Sequence, residues 1–478
     1  MYNSNLIKYL QFFDKAILNR WLEYICSPYF NKHQPSIALC KLLYNEYPFT
    51  DEKCIDKKLL YKRLNQSKSY DDDNMRWLIS NLLRLTEAFI YQEKTVIPQL
   101  ENISLVLLPI LKEEFQFTRH TYHLKRAEKK LLGKANYEES YKLYNEIDDA
   151  NIYKNNFNQP ELLLKKNELQ HKWLLYENLR NACDIANRRQ FVHFESNNAI
   201  GEWAINQIKQ NEVYKNEPAL MIYYRVYFSI TTPADITNYQ YLQTLVFKNQ
   251  NMFEAKEQRN LFYYLLNYSL RKINSGASDF LETAFNLFVK MLDSNMFLQG
   301  DSFPENVFKN IITIALRLNK TDWVKQFIED YAKQLPIDVA TNAHQYNMAN
   351  YYYHIGEMNK AMQQLINVEY TNINYNLDSK ALLLRIYFDM DEEEAFDAHF
   401  NAFKVYLIRN KLLANKKHRR YYNLFRFTNR LYHLKSKVAY QSKEKTKQQL
   451  KSLQKQMDRA GSIANVAWLE KRITDLED

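Results

Sequence analysis

The chain has 478 residues, 46% of them apolar and 25% charged, with a formal net charge of +10. Only six are Gly and ten are Pro, against the ~7% Gly of ordinary chains. Tight hairpins and phosphate-cradling loops need Gly at positive φ, so the composition argues against sandwiches, barrels and nucleotide-binding α/β folds and favours helices joined by polar turns.

No run of 18 apolar residues occurs, so no membrane span is expected. The opening MYNSNLIKYLQFF lacks the basic region, apolar core and small-residue cleavage site of a signal peptide. The four cysteines, Cys26, Cys40, Cys54 and Cys183, form no CxxC pair and no zinc pattern. They are expected to be reduced thiols, mostly buried, in a cytoplasmic protein.

Residues 1–95 read as an N-terminal helical module. Leu6, Leu10 and Phe13, then Ile17, Leu18, Trp21, Leu22 and Ile25, recur at helical spacing over 4–13 and 15–26. SPYFN (Ser27 to Asn31) ends the second helix, because Pro28 lacks an N–H and pushes Ser27 out of the α region. Helices are predicted near 35–46, 51–64 and 72–94. Asp71, Asp72 and Asp73 open the last one, where negative charge suits the helix dipole and an Asp caps. Its apolar stripe runs through Trp77, Ile79, Leu82, Leu83, Leu85, Phe89 and Ile90.

An irregular helical-repeat region is expected over 100–300, with helices at 103–115, 117–133, 137–149, 160–189, 197–210, 217–229, 235–249, 254–273 and 278–293. Pro160 suits a first-turn position. ITTPAD (Ile230 to Asp235) and NSGASD (Asn274 to Asp279) are breaks. No strand-like alternation competes with the helical period. His120 and His123 lie three apart on one face, a metal-compatible spacing; without a third ligand they read as a surface pair. The 37 Tyr, 27 Phe and 6 Trp read as packing between stacked helices.

Internal repetition is the strongest pattern. In NYYYHIGEMNKAMQQL (Asn350 to Leu365), Tyr352 and Tyr353 end one helix, Gly356 closes the turn, and Ala361 is the small residue where the second helix crosses the first. ALLLRIYFDMDEEEAFDAHF (Ala381 to Phe400) repeats the scheme, Tyr387 following Tyr352 by 35 residues and Ala395 following Ala361 by 34. ALRLNKTDWVKQFIEDY (Ala315 to Tyr331) has the same form, with Trp323 and Phe327 as packing residues. LLGKANYEESYKLYNEI (Leu131 to Ile147) carries Tyr137 and Ser140 in equivalent places.

These stretches resemble the tetratricopeptide superfamily over 300–440, and more loosely over 117–300. SPYFN, NYSLRKINSG (Asn267 to Gly276) and YLIRNKLLA (Tyr406 to Ala414) also resemble a family of uncharacterised bacterial helical proteins, which brings no activity with it. The expected fold is therefore all-α: the N-terminal module, the irregular region, a TPR-like superhelical solenoid with repeats over 301–440, and a C-terminal helical tail over 441–478.

Charge concentrates near the end. Between Phe403 and Ala460 stand 17 Lys or Arg and two acids, Glu444 and Asp458, while DMDEEEAFD (Asp389 to Asp397) just before carries six acids. Lys416, Lys417, Arg419, Arg420, Arg426 and Arg430 form a candidate basic surface. There Tyr421, Tyr422, Phe425 and Phe427 have the chemistry to stack on bases. The competing reading is amphipathic helices with aromatics inside and cations in water, some of them neutralised by an acidic neighbour.

No P-loop, GxGxxG or GxSxG motif occurs, so no cofactor and no catalytic residue is expected. The expected function is a non-catalytic interaction scaffold that binds a protein or peptide partner in a solenoid groove. Asn347, Asn350, Tyr351 and His354 on the first helix of the best repeat are its candidate lining residues. The alternative is a nucleic-acid-associated protein using the basic C-terminal helices.

Overall fold

The computed structural model describes residues 1–2, 4–49, 52–64, 69–93, 103–113, 117–154, 158–190, 192, 198–298, 302–366, 368, 373–409 and 415–477. The described residues form 24 α-helices and no strand, so the protein is all-α. Among them, no helix is long and apolar enough to cross a membrane. The chain divides into two compact units, Met1–Glu177 and Asn178–Asp478.

The first unit opens with α1 (Asn5–Gln11), α2 (Lys15–Cys26), α3 (Gln34–Asn45), α4 (Lys57–Leu64) and α5 (Asp72–Tyr91). Side chains fix their ends. Asp14 accepts the Ile17 N–H at 2.7 Å and caps α2. After α2, Asn31 donates its amide to the Ile25 carbonyl and accepts the His33 N–H, both at 3.0 Å, so SPYFN is a bonded turn. Asp71 caps α5 through the Asn74 N–H at 3.0 Å, and Asp72 pairs with Arg76 one turn on.

Helix α5 packs on α1, α2 and α3. Trp21 is fully buried between them, and its indole N–H donates to Thr86 Oγ1 at 3.0 Å, which satisfies the one polar atom the ring carries inside. The expected stripe on α5 needs a correction at Trp77, which is 55% exposed and leans edge-on against His33. The packed set is Met75, Leu78, Leu82, Leu85 and Phe89. Its three- and four-residue steps leave position 77 on the far side of the helix.

Three further helices, α6 (Ile103–Glu113), α7 (Phe117–Leu131) and α8 (Tyr137–Tyr153), share a smaller core of Leu108, Ala127 and Leu143. Helix α9 (Pro160–Arg189) starts in the first unit, with Pro160 in its first turn, and its C-terminal part belongs to the second.

The second unit continues with α10 (Ala199–Gln210) and the single turn α11 (Glu212–Lys215). Six helix pairs follow. They are α12 (Pro218–Thr231) with α13 (Ile236–Asn249), α14 (Ala255–Asn274) with α15 (Phe280–Asp293), and α16 (Glu305–Arg317) with α17 (Thr321–Tyr331). Next come α18 (Ile337–His354) with α19 (Met358–Ile366), α20 (Ile373–Asp389) with α21 (Glu393–Arg409), and α22 (Asn415–Lys435) with α23 (Lys443–Ala460). Helix α24 (Val466–Glu477) lies against α22 and α23. Each second helix packs on its own first helix and on the first helix of the next pair. First helices also meet directly: α12 with α14, α16 with α18, α18 with α20, and α20 with α22.

Four of the turns within pairs use one device. Gly276, Asn319, Gly356 and Asp391 sit at φ of 98°, 56°, 84° and 56°. The following N–H in each case reaches the carbonyl five residues back: Ala277 to Lys272, Lys320 to Ala315, Glu357 to Tyr352 and Glu392 to Tyr387, at 2.9–3.2 Å. This left-handed closure satisfies carbonyls the helix end would orphan. Asn and Asp enter the left-handed region at lower cost than other side chains. Ala361 is fully buried, as expected where α19 crosses α18, and the half-buried Trp323 stacks on the buried Phe327 at 5.0 Å and meets Phe285 of α15 edge-on.

A Cβ added at Gly356 would meet nothing within 4 Å, so only backbone strain opposes a side chain there. Gly356→Ala is expected to cost about 1–2 kcal/mol of unfolding free energy, and Gly356→Asn clearly less. Chemical denaturation of the two variants checks this; equal losses would mean that left-handed geometry does not limit the turn.

Candidate functional site

The first helices of the last four pairs carry a line of polar side chains that face one another. On α18 it runs Tyr346, Asn350, Tyr353, and on α20 Tyr375, Asp378, Arg385, Asp389. These steps of three, four and seven residues keep each set on one helical face. The two sets face each other, with the Tyr346 and Tyr375 rings 5.6 Å apart and the Arg385 guanidinium 4.5 Å from the Tyr353 ring centre. The Tyr353 hydroxyl donates to Asp389 at 2.5 Å.

Neighbouring helices close this seam at both ends. Asp378 takes Lys309 of α16 on one carboxylate oxygen and the Tyr421 hydroxyl of α22 on the other, and the Lys309 ammonium also lies 5.0 Å from the centre of the Tyr346 ring. Asp389 receives Arg472 of α24 at 2.8 and 2.9 Å and the Trp468 indole N–H at 3.4 Å.

Burial works against the Lys309 ammonium, but Tyr346 and Asp378 outweigh it and keep the pKa above its ordinary value. Burial, then the Asp378 charge, pushes the Tyr421 hydroxyl well up, and burial does the same to Tyr353. Burial opposes the Arg472 charge, and the hydrogen bond to Asp389 more than restores it. Phenols held protonated and cations held charged make poor proton carriers at neutral pH. The seam is built to fix the first helices together.

The four residues expected to line a groove do share one face of α18, but not an open one. Asn347 is 1% exposed and donates its amide to the Ala343 carbonyl of its own helix at 2.7 Å; Asn350 does the same to Tyr346 at 3.1 Å. Tyr351 is buried. His354 is exposed, and its Nε2 meets the Asn319 side chain of the preceding turn at 2.9 Å. Asp378 and Lys309 stand out in no sequence pattern, and Tyr421 does so only as a base-stacking candidate.

At the basic end, the side chains of Lys416 and Lys417 lie outside the described residues. Arg419, Arg420 and Arg430 are exposed, with Arg430 donating to Gln456 of α23. Arg426 is half-buried, 4.5 Å from the centre of the Phe427 ring. The aromatics expected as base platforms are mostly interior: Tyr421, Phe425 and Phe427 are buried, and Phe425 stacks on Phe400 at 3.8 Å. Only Tyr422 is exposed, at 46%. The helical period puts those three on the packed side of α22, so they are unavailable to bases. The acidic run does neutralise part of this region, through Lys435 on Asp391.

The histidine pair also divides. His123 Nδ1 lies 3.2 Å from Ser104 Oγ, whereas His120 is fully buried, with neither ring nitrogen hydrogen-bonded. It is therefore not the surface residue expected. Among the described residues, no group of three His, Cys, Asp or Glu could hold a metal ion. Cys40 and Cys183 are buried and Cys26 and Cys54 partly so, and burial pushes both buried thiols far up from their ordinary range.

No protein-family model matches the chain, and no solved structure matches it. The chain is similar to an uncharacterised protein of Rickettsia prowazekii (strain Madrid E), 27% identical over 190 residues. The alignment takes in 38% of this chain and 20% of that protein, so the chain spans a minor part of its relative's length.

Two outcomes follow from this geometry. Asp378→Ala leaves Lys309 without its counter-ion and is expected to cost about 2–3 kcal/mol, below the ~3–5 of a fully buried pair because Lys309 keeps some solvent. The double variant Lys309→Met with Asp378→Leu should recover most of that loss in denaturant titrations. For His120, burial first and the Lys154 charge second lower its pKa, so the folded state prefers the neutral ring. Stability is then full above the unfolded value of ~6.5 and declines as pH falls below it. His120→Leu should flatten part of that decline, seen as a smaller drop in Tm between neutral and mildly acidic pH. An unchanged pH profile would mean that His120 is not the titrating group.

Proposed function

We propose that the second unit is a tetratricopeptide-like α-solenoid, and that the protein serves as a non-catalytic scaffold which binds a protein or peptide partner. The observation carrying this reading is the recurrent left-handed turn at Gly276, Asn319, Gly356 and Asp391, together with first helices that meet from pair to pair. Elements that bury their apolar faces only against sequence neighbours build extended surfaces, and such surfaces suit long, shallow partners.

The seam fills the inner side of α18 and α20, which moves the docking face elsewhere along the first helices. On α16, Asn306, Asn310, Thr313 and Arg317 form an exposed stripe at steps of four, three and four residues, opposite the buried Phe308, Ile311, Ile312 and Ala315. An Asn side chain both donates and accepts, so a row of them matches the alternating N–H and C=O groups of an extended peptide.

The test is affinity capture followed by partner identification, repeated with Asn306→Arg and Asn310→Arg together. A partner that binds the native protein at physiological salt, and binds the double variant at least tenfold more weakly while the Tm is unchanged, supports the scaffold reading. Capture of nothing, or capture indifferent to both changes, counts against this face.

A further inference from the structure

The sequence points to Lys416–Arg430 as the basic surface, but the geometry places a longer exposed row of cations one helix later. On α23, Thr446, Leu450, Leu453 and Met457 are buried, and the helix packs on α22 and α24. Lys443, Lys447, Lys451, Lys455 and Arg459 recur at every fourth position, and all five are exposed, as is Lys445. At 100° per residue the packed set centres on one side, and Lys451 and Lys455 lie nearly opposite it. The five cations climb the axis in steps of ~6 Å over ~24 Å. Among the described residues none of them has an ion-pair partner. The only acids on the helix, Glu444 and Asp458, sit in its first and last turns.

We propose that this ridge of α23 binds the phosphate backbone of duplex nucleic acid, without reading sequence. Three features select that partner. Apart from Glu444 and Asp458, the rest of the exposed face is Gln and Ser, so a protein partner would find no apolar or aromatic anchor there, and such anchors carry most protein–protein affinity. Single strands are held by aromatic stacking platforms; the exposed face of α23 has none, and of the five Tyr and Phe on α22 only Tyr422 is exposed. A membrane-surface helix must insert its apolar face into lipid, and that face is already packed. What remains is a row of point charges that winds by about 160° around the helix from Lys443 to Arg459, and it gains affinity by releasing counterions condensed on a duplex. Arg419 and Arg420 are further exposed cations, on the adjacent α22.

The experiment is fluorescence anisotropy of the full chain with a short labelled DNA duplex of arbitrary sequence, titrated from about 50 to 200 mM salt. The variant is Lys447→Gln, Lys451→Gln and Lys455→Gln together. The control removes the same charge elsewhere, through Lys41→Gln, Lys62→Gln and Lys125→Gln, with circular dichroism and Tm confirming both folds. The native protein should lose affinity steeply with salt. The ridge variant should lower the slope of log affinity against log salt by about 2 to 3, at ~0.9 for each phosphate left without its cation, and the control should not. No binding at low salt, equal slopes in the two variants, or tighter binding to the matching single strand or to phosphatidylserine vesicles would each overturn the proposal. The ridge lies on a second helix, so its failure leaves the first-helix scaffold untouched.

Discussion

Asp378 is the point on which the last four helix pairs depend. A carboxylate taken out of water costs several kcal/mol unless it is paired and its lone pairs are used. Here Lys309 approaches from α16 and Tyr421 from α22, so one acid on α20 joins three first helices, and the bond to Lys309 passes over α18. Nearest-neighbour packing alone would leave each pair attached only to the next. The polar bond adds a tie of longer reach and fixes the relative rotation of the helices, because a displaced carboxylate would lose both partners.

The same logic recurs at Asp389, where Tyr353, Trp468 and Arg472 converge. That convergence brings α24 back onto the turn end of α18 and α20. The inner face of those two helices is thereby occupied by the protein's own side chains, and surfaces free for partners are displaced to α16 and to α23. Charge is distributed by the same rule. Acids that sit inside are satisfied by named donors, whereas the lysines of α23 stay in water, where their solvation is cheap and their field reaches outward.

Much of the secondary structure was legible in the sequence. Helix starts at Asp14, Asp71 and Pro160 follow from capping chemistry, and the turns at Gly356 and Gly276 from the conformational freedom of Gly. Asn319 and Asp391 make the same turn without Gly, so a search for Gly alone passes over them; only φ reveals the equivalence. The side of a helix was harder to read than its existence. Trp77 was placed on an apolar stripe and the Tyr421–Phe427 aromatics were left between stacking on bases and facing inward; rotation about the helix axis turns Trp77 out and Tyr421, Phe425 and Phe427 in. His120 is the same lesson inverted, a polar residue that the period turns inward.

Composition and local pattern thus determined that the protein is all-α, where most of its helices begin and end, and that cations gather near the C-terminus. These are properties of φ, of caps and of a 3.6-residue period, which act over a few neighbouring residues. Which face of α18 is closed, that Lys309 and Tyr421 share one carboxylate from positions 69 residues upstream and 43 downstream, and that α23 rather than α22 bears the open row of charge were decided by tertiary packing. Each depends on the rotation of one helix against another, and that rotation is set by contacts between residues far apart in the chain.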